Sequence, residues 1–282
     1  MRVAIVGGGI NGVMSAWALA RRGHSVTLFE AGEPMDATSS HSTKLLHGGL
    51  RYLEHGQLRL VRSSLQEREW WIQQAPQLAK TIEMVLPVYA FSRRPRWKIR
   101  IGLALYEWLA GGQTLGRHLW HARAEAMRFC PELNPEGLIG IFTFYDGQMH
   151  DRELGLWAAE QAKAVGVVVR AHSPVDTVSN DGTLTTDGEE ARFDRLVNVA
   201  GPWACRLLDR SRIDSKYNLD LVRGSHLLLK QSMGRNYILE VPGEERVCFA
   251  LNYKGQALIG TTEVRQSIDE PIECSTAERN YL

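Results

Sequence analysis

Apolar and polar positions follow two rhythms along the chain, one suited to strands and one to helices. Residues 3–6 are a short continuous apolar run, the length of one buried strand. Residues 14–22 are rich in helix formers, and Gly23 can close that helix in a left-handed cap. Residues 25–29 read as a second strand ending on Glu30. Leu58, Val61, Leu65 and Ile72 share one side of a helix over residues 58–75, with Pro76 just beyond. Residues 82–91 read as a strand pair or one long strand, 101–109 as an amphipathic helix, and 139–145 as a strand followed by an Asp146-Gly147 turn.

The second half favours short strands. Asp151 is expected to cap a helix over residues 152–164. Residues 167–169 read as a buried strand and 174–178 as another. Asn180-Asp181-Gly182 then marks a hairpin turn, and residues 184–193 complete a small antiparallel element. An apolar strand from residue 195 runs into Gly201, with Pro202 where a helix can start. Residues 247–253 and 257–263 read as further strands, and 278–282 as the start of a helix.

The first strand, turn and helix carry chemistry. Gly7, Gly9 and Gly12 have G-x-G-x-x-G spacing between strand and helix. Gly7 allows the tight turn, Gly9 lets a pyrophosphate approach bare backbone, and Gly12 lets helix and strand pack closely. Ile10 and Asn11 lie at the helix start, where unpaired N–H groups and partial positive charge favour phosphate. Glu30 can accept hydrogen bonds from ribose hydroxyls, with Ala31 beside it, and its charge disfavours a 2′-phosphate. Strand, glycines, helix, strand and acid together predict a dinucleotide site. A secretory signal is the competing reading, but Gly7, Gly8, Gly9, Asn11 and Gly12 break the apolar core that it needs.

Composition adds exclusions. The 282 residues can bury a sizeable core as one large domain or two smaller ones. A formal net charge of +1 offers no global field for nucleic acid. No uncharged apolar stretch is long enough for a membrane-spanning helix. Cys130, Cys205, Cys248 and Cys274 form no C-x-x-C pair, which favours free thiols in a reducing compartment. His118 and His121 could share a helix face, but they lack further ligands at metal spacing, so no metal is expected.

Two stretches stay open on residues alone. Residues 32–49 are a long polar loop whose hydroxyls, including Thr38 and Ser39, and whose Lys44 could wrap a diphosphate or face solvent. Residues 93–109 join basic residues to Trp97, Tyr106 and Trp108, which suits either an anionic membrane surface or a substrate-domain helix with a solvated basic end.

The run from Ala37 to His55, with Lys44-Leu-Leu-His-Gly-Gly-Leu-Arg-Tyr52 at its centre, resembles the flavin-binding stretch of the FAD-dependent glycerol-3-phosphate dehydrogenases. These are respiratory, quinone-reducing enzymes of the glycine oxidase and D-amino-acid oxidase superfamily. Residues 97–106, Asn198-Val-Ala-Gly-Pro-Trp203, Gly224-Ser-His226 and Ile259-Gly-Thr-Thr262 continue the likeness. The family's Ser-Gly-Val-Arg-Pro and Gly-Gly-Lys-x-Thr-Thr motifs are missing, so the resemblance implies a C-terminally incomplete chain, either a fragment or a product cut short.

The resemblance implies an α/β fold: a Rossmann-like FAD-binding domain with a parallel sheet (1–80 and 140–215) and an antiparallel-sheet α+β substrate or cap domain (81–139 and 216–282). It adds Leu46, His47, Gly48, Val175, Ala200, Gly201 and Trp203 to the FAD-binding set. The implied activity is oxidation of glycerol 3-phosphate to dihydroxyacetone phosphate, with electrons passed to quinone. Arg51 would pair with the substrate phosphate, Tyr52 would hydrogen-bond the substrate, and His226 would move or orient the C2 hydroxyl proton. A homodimer and peripheral attachment to the cytoplasmic face of the inner membrane are further implied, with a cytoplasmic location otherwise. Two other readings stand beside this one: another FAD-dependent oxidoreductase of the superfamily acting on an amino acid or 2-hydroxy acid, and a non-catalytic truncated FAD-binding remnant.

Overall fold

The structure, a computed structural model, describes residues 1–111 and 115–282. The elements in chain order begin with β1 (Arg2–Val6), α1 (Ile10–Arg21), β2 (Ser25–Phe29), β3 (Leu45–Leu46), α2 (Leu58–Gln74), β4 (Ala79–Tyr89), α3 (Arg96–Ala110), β5 (Leu119–Ala122), α4 (Arg123–Phe129) and β6 (Leu138–Met149). They continue through α5 (Asp151–Ala164), β7 (Val168–Arg170), β8 (Val175–Val178), β9 (Thr183–Thr186), β10 (Glu189–Arg192), β11 (Arg195–Asn198) and α6 (Ala204–Arg210). The last are β12 (Val222–Arg223), β13 (His226–Leu229), β14 (Asn236–Glu240), β15 (Val247–Tyr253), β16 (Gln256–Gly260), β17 (Val264–Arg265) and α7 (Thr276–Tyr281).

The chain divides into two compact units. The first comprises residues 1–42, 150–222 and 265–271. Its parallel sheet has the order β11-β1-β2-β7, and a smaller antiparallel sheet has the order β10-β9-β8. Ala4, Val6 and Phe29 of the first sheet share a core with Val175, Val178, Leu184 and Leu207. Trp17 of α1 meets Trp157 of α5 edge to face, ring centres 6.0 Å apart. The apolar run at 167–169 turns out half-exposed: β7 is an edge strand, and only Val167 is buried while Val168 points outward.

The second unit comprises residues 43–149, 223–264 and 272–282. Its sheet has the order β13-β16-β15-β14-β4-β6-β3, with β5 added to β6. Residues 82–91 therefore belong to one long strand, which pairs with β6 from Ala79 opposite Met149 to Tyr89 opposite Leu138. Strand side chains alternate between faces. Met84, Leu86 and Val88 pack with Ile99 and Leu103 of α3, while Val85 packs with Ala126 and Cys130 around α4. Burial on both faces is why β4 reads as a nearly unbroken apolar run.

The division differs from the expected boundaries at residues 43–80, 140–149, 216–222 and 265–271. Leu45 and Leu46 pair with Gln148 and Gly147, and β4 is already paired with β6 by Ala79, so hydrogen bonding draws the first two segments into the larger sheet. Two local expectations also change. The α5 helix begins at Asp151 itself, with His150 at the cap position, and the Asp151 Oδ2 accepts the N–H and hydroxyl of Ser42 instead. His118 and His121 lie beside and on strand β5 rather than on a helix, with Nδ1 atoms 2.9 Å from Glu107 Oε1 and 2.8 Å from Glu125 Oε1.

Candidate functional site

In the first unit, the carboxyl ends of β1 and β2 open into a cavity of about 590 Å³. That is within the usual range for a small-molecule or cofactor site, roughly 300–1,000 Å³. Gly7 leaves β1 at φ 115°, a conformation that excludes most side chains. A Cβ on Gly12 would overlap the Gly7 carbonyl oxygen, so helix and strand touch backbone to backbone there. The first turn of α1 carries no acidic residue, which keeps its positive end available to an anion.

Two side chains brace the turn. Glu30 Oε2 accepts the Gly8 N–H at 2.6 Å, and Oε1 accepts the Gly32 N–H at 2.9 Å. Ser39 Oγ accepts the Ile10 N–H at 2.9 Å. The loop expected over residues 32–49 is thus partly ordered in this unit. Thr38–Ser40 forms a short 3-10 turn, and Met35, whose N–H donates to the Gly8 carbonyl, is buried against Gly155. On the opposite wall, Asn198 Nδ2 donates to the Ala204 carbonyl at 2.9 Å, and its Oδ1 accepts the Ala200 N–H at 3.2 Å. Those bonds hold the turn in which Gly201 takes φ 55°.

The structure brings eleven of the expected cofactor residues to this cavity: Gly7, Gly9, Asn11, Glu30, Ala31, Thr38, Ser39, Val175, Ala200, Gly201 and Trp203. Ile10 and Gly12 do not line it; they support its floor through Ser39 and Gly7. Sequence reasoning missed Pro174, Leu207 and Arg210 on the wall. Arg210 reaches the Val175 carbonyl at 3.5 Å, and no local spacing announces it.

The remaining expected residues belong to the second unit. Leu46 is in β3, and His47 is exposed just beyond it. Lys44, at φ 62°, places its ammonium 5.7 Å from the Tyr253 ring centre. Gly48 is buried and donates its N–H to the Tyr106 hydroxyl at 2.6 Å. Arg51 and Tyr52 are exposed on a 3-10 segment, Leu50–His55, between Gly49 and Gly56, both left-handed. His226 starts β13, with Nε2 at 3.0 Å from Thr43 Oγ1.

Nearby, Asp146 is buried, and burial pushes its carboxyl upward while Arg68 and His47 pull it down. Tyr106 is held well above the usual phenol range, first by burial and then by Asp146. Among the described residues no cluster of three potential metal ligands occurs.

The family described as DAO, FAD dependent oxidoreductase, matches residues 2–282. A glycerol-3-phosphate dehydrogenase from Pseudomonas tolaasii is 35% identical over 98% of this chain and 55% of its own length. A D-erythritol 1-phosphate dehydrogenase from Brucella abortus is 34% identical over 99% of the chain and 57% of its own. The chain therefore spans about half the length of these curated relatives. The structure of a glycerol-3-phosphate dehydrogenase from Bacillus halodurans, complexed with FAD, superposes with a TM-score of 0.78. It is 23% identical and covers all of this chain and 51% of that one.

Proposed function

The chain belongs to the FAD dependent oxidoreductase family, and from that premise we propose that it oxidises sn-glycerol 3-phosphate to dihydroxyacetone phosphate. Its cofactor is FAD. The cavity residues fit that group: bare glycine backbone and an acid-free helix start for the diphosphate, and Glu30 for ribose hydroxyls. Bound FAD supplies a two-electron acceptor for the hydride leaving the substrate carbon.

The chain's own residues bind substrate and manage the proton. Arg51 offers a planar guanidinium, suited to two-pronged pairing with a phosphate. Tyr52, beside it, donates a hydrogen bond to the substrate. His226 accepts the C2 hydroxyl proton on an imidazole nitrogen, and Thr43 orients its ring. The observation that carries the reading is likeness along nearly the whole chain to proteins named for this activity. A longer polyol phosphate is the second substrate reading, because one relative of similar identity is named for D-erythritol 1-phosphate.

Electrons then pass to a membrane quinone, and α3 supplies the membrane contact. Trp97, Ile101, Ala104 and Trp108 follow i, i+4, i+7, i+11 spacing along its outer side. Trp97 is 65% exposed, Ile101 60% and Trp108 73%. Arg96, Lys98 and Arg100, all exposed, flank the stripe at one end. Each basic residue near an anionic lipid surface contributes about 1 kcal/mol. Among the described residues no helix is long and apolar enough to cross a membrane.

The test is anaerobic titration of the purified chain. A yellow protein whose flavin band bleaches with glycerol 3-phosphate supports the reading. Bleaching by glycine or D-alanine instead indicates an amino-acid oxidase, and a colourless protein indicates a remnant without catalysis.

A further inference from the structure

Three polar side chains are buried together in the second unit. Arg68 of α2, Tyr106 of α3 and Asp146 of β6 are each 5% exposed or less. Arg68 Nη1 donates to Asp146 Oδ1 at 3.0 Å, and the Tyr106 hydroxyl donates to Asp146 Oδ2 at 2.9 Å. The same hydroxyl oxygen accepts the Gly48 N–H at 2.6 Å. Residues far apart in sequence thus converge on one peptide group of the loop after β3.

A buried ion pair is a poor way to gain stability, because desolvation offsets most of the attraction. Its geometry shows another use. Asp146 Oδ1 takes Arg68 and the Gly147 N–H at 3.1 Å, leaving Oδ2 for the phenol. A hydroxyl has one proton. With that proton given to Asp146, Tyr106 presents only lone pairs to Gly48. In a trans peptide the N–H and the preceding carbonyl point opposite ways, so holding the Gly48 N–H directs the His47 carbonyl away from Tyr106.

The hold extends forward along the loop. Gly49 takes φ 75°, and its carbonyl accepts the Tyr52 N–H at 2.8 Å, opening the turn that carries Arg51. A Cβ on Gly48 would come within 2.7 Å of the Tyr106 hydroxyl and closer still to Leu65, so the loop cannot slide over its seat.

We propose that Tyr106, with Asp146 and Arg68 behind it, is a positioning residue that sets the orientation of residues 47–52 and so of the substrate-binding groups Arg51 and Tyr52. The assignment of those two groups rests on the function proposed above; the seating of the loop does not.

Hydrogen exchange read by mass spectrometry and steady-state kinetics, both on the 282-residue chain, test this. Tyr106→Phe keeps the ring and removes the hydroxyl. Peptides covering residues 45–55 should exchange about tenfold faster while those of β15 and β16 do not change, as expected for one lost buried hydrogen bond. KM for glycerol 3-phosphate should rise about tenfold with kcat within about threefold, the signature of lost ground-state binding. The paired change Arg68→Met with Asp146→Asn removes both charges but keeps one acceptor oxygen for two donors, the Tyr106 hydroxyl and the Gly147 N–H, and should loosen residues 45–55 less than Tyr106→Phe does. Asp146→Asn alone strands the Arg68 charge and should be worse than the pair.

Unchanged exchange at 45–55 in Tyr106→Phe overturns the proposal, as does loosening spread evenly over the sheet or a loosened segment with unchanged KM. Should Tyr106→Phe fail to fold, Asp146→Asn decides: faster exchange confined to residues 45–55 supports the proposal, and parental exchange there overturns it. If no polyol phosphate reduces the parent, the function reading fails, and the exchange arm alone decides whether the hydroxyl seats the loop.

Discussion

The Glu30 carboxylate ties the end of β2 to the glycine turn, accepting the Gly8 N–H at 2.6 Å. Its other oxygen accepts from Gly32, so one side chain fixes two backbone amides at the cavity mouth. Glu30→Gln turns one of those acceptors into a donor. FAD affinity should fall about tenfold, the scale of one charge-assisted hydrogen bond, in a fluorescence titration of the apoprotein. Unchanged affinity would separate Glu30 from the cofactor.

Gly12→Ala is the harshest single methyl that can be added to the first unit, since it drives into the Gly7 carbonyl. The strand and helix must separate, at a cost of about 1–3 kcal/mol or more. Thermal unfolding should shift down and flavin retention should be lost. Gly23→Ala, where nothing lies within 4 Å of the new methyl, tests strain alone, because only its φ of 83° opposes the change.

Arg51→Lys keeps the charge and removes the planar fork. Substrate binding should weaken by about 1.5–3 kcal/mol, read as a KM rise of roughly 10- to 150-fold by that conversion. The unfolding midpoint should hold, because Arg51 is exposed. A parental KM would remove Arg51 from the substrate site.

Acid should destabilise the second unit in a defined window. Arg94 grips Glu54 with two hydrogen bonds and, against partial burial and with help from Lys98, holds its carboxyl at about 2 against an ordinary 4.5. Burial would raise Glu278, but the Ser275 N–H and the Thr262, Ser275 and Ser225 hydroxyls outweigh it, again to about 2. Folded values below unfolded ones mean that the stabilisation is complete above about pH 5 and fades as pH falls toward about 2. Urea midpoints should drop across that window. Glu278→Gln should be less stable near neutrality but show a shallower acid decline; an unaltered decline would rule out Glu278 as a source.

Trp97→Ser with Trp108→Ser should abolish co-sedimentation with anionic vesicles without changing the unfolding midpoint, because both side chains are mostly exposed. Binding to neutral vesicles should be weak from the start and should fall with salt for anionic ones. Vesicle binding by the double variant equal to the parent would move the contact elsewhere.

The glycine turn was legible because its requirements are local: the φ of Gly7 and the packing of Gly12 leave few other residues usable within a dozen positions. The wall opposite was less so. Arg210 reaches the Val175 carbonyl across 35 residues of sequence, and Asn198 braces a turn that reads equally well as a plain strand end. The Arg68–Asp146 pair spans 78 residues and left no spacing to notice. Misreadings follow the same physics. Three consecutive valines suggest a buried strand, but successive side chains alternate between faces, and at the edge strand β7 Val167 is buried while Val168 is exposed. Residues 43–80 stand near the glycine strand in sequence, yet the β4–β6 ladder claims their end.

The parallel pairing of Val3 with both Val26 and Arg195 has a consequence for biosynthesis. β1 meets β2 soon after both leave the ribosome, and waits for β11 until every residue up to Arg195 has been made. During that delay its far edge carries unsatisfied amides and carbonyls, an invitation to pair with another nascent chain. Efficient maturation should therefore depend on shielding that edge, and slowing translation ahead of Arg195 should increase aggregation more than slowing it afterwards.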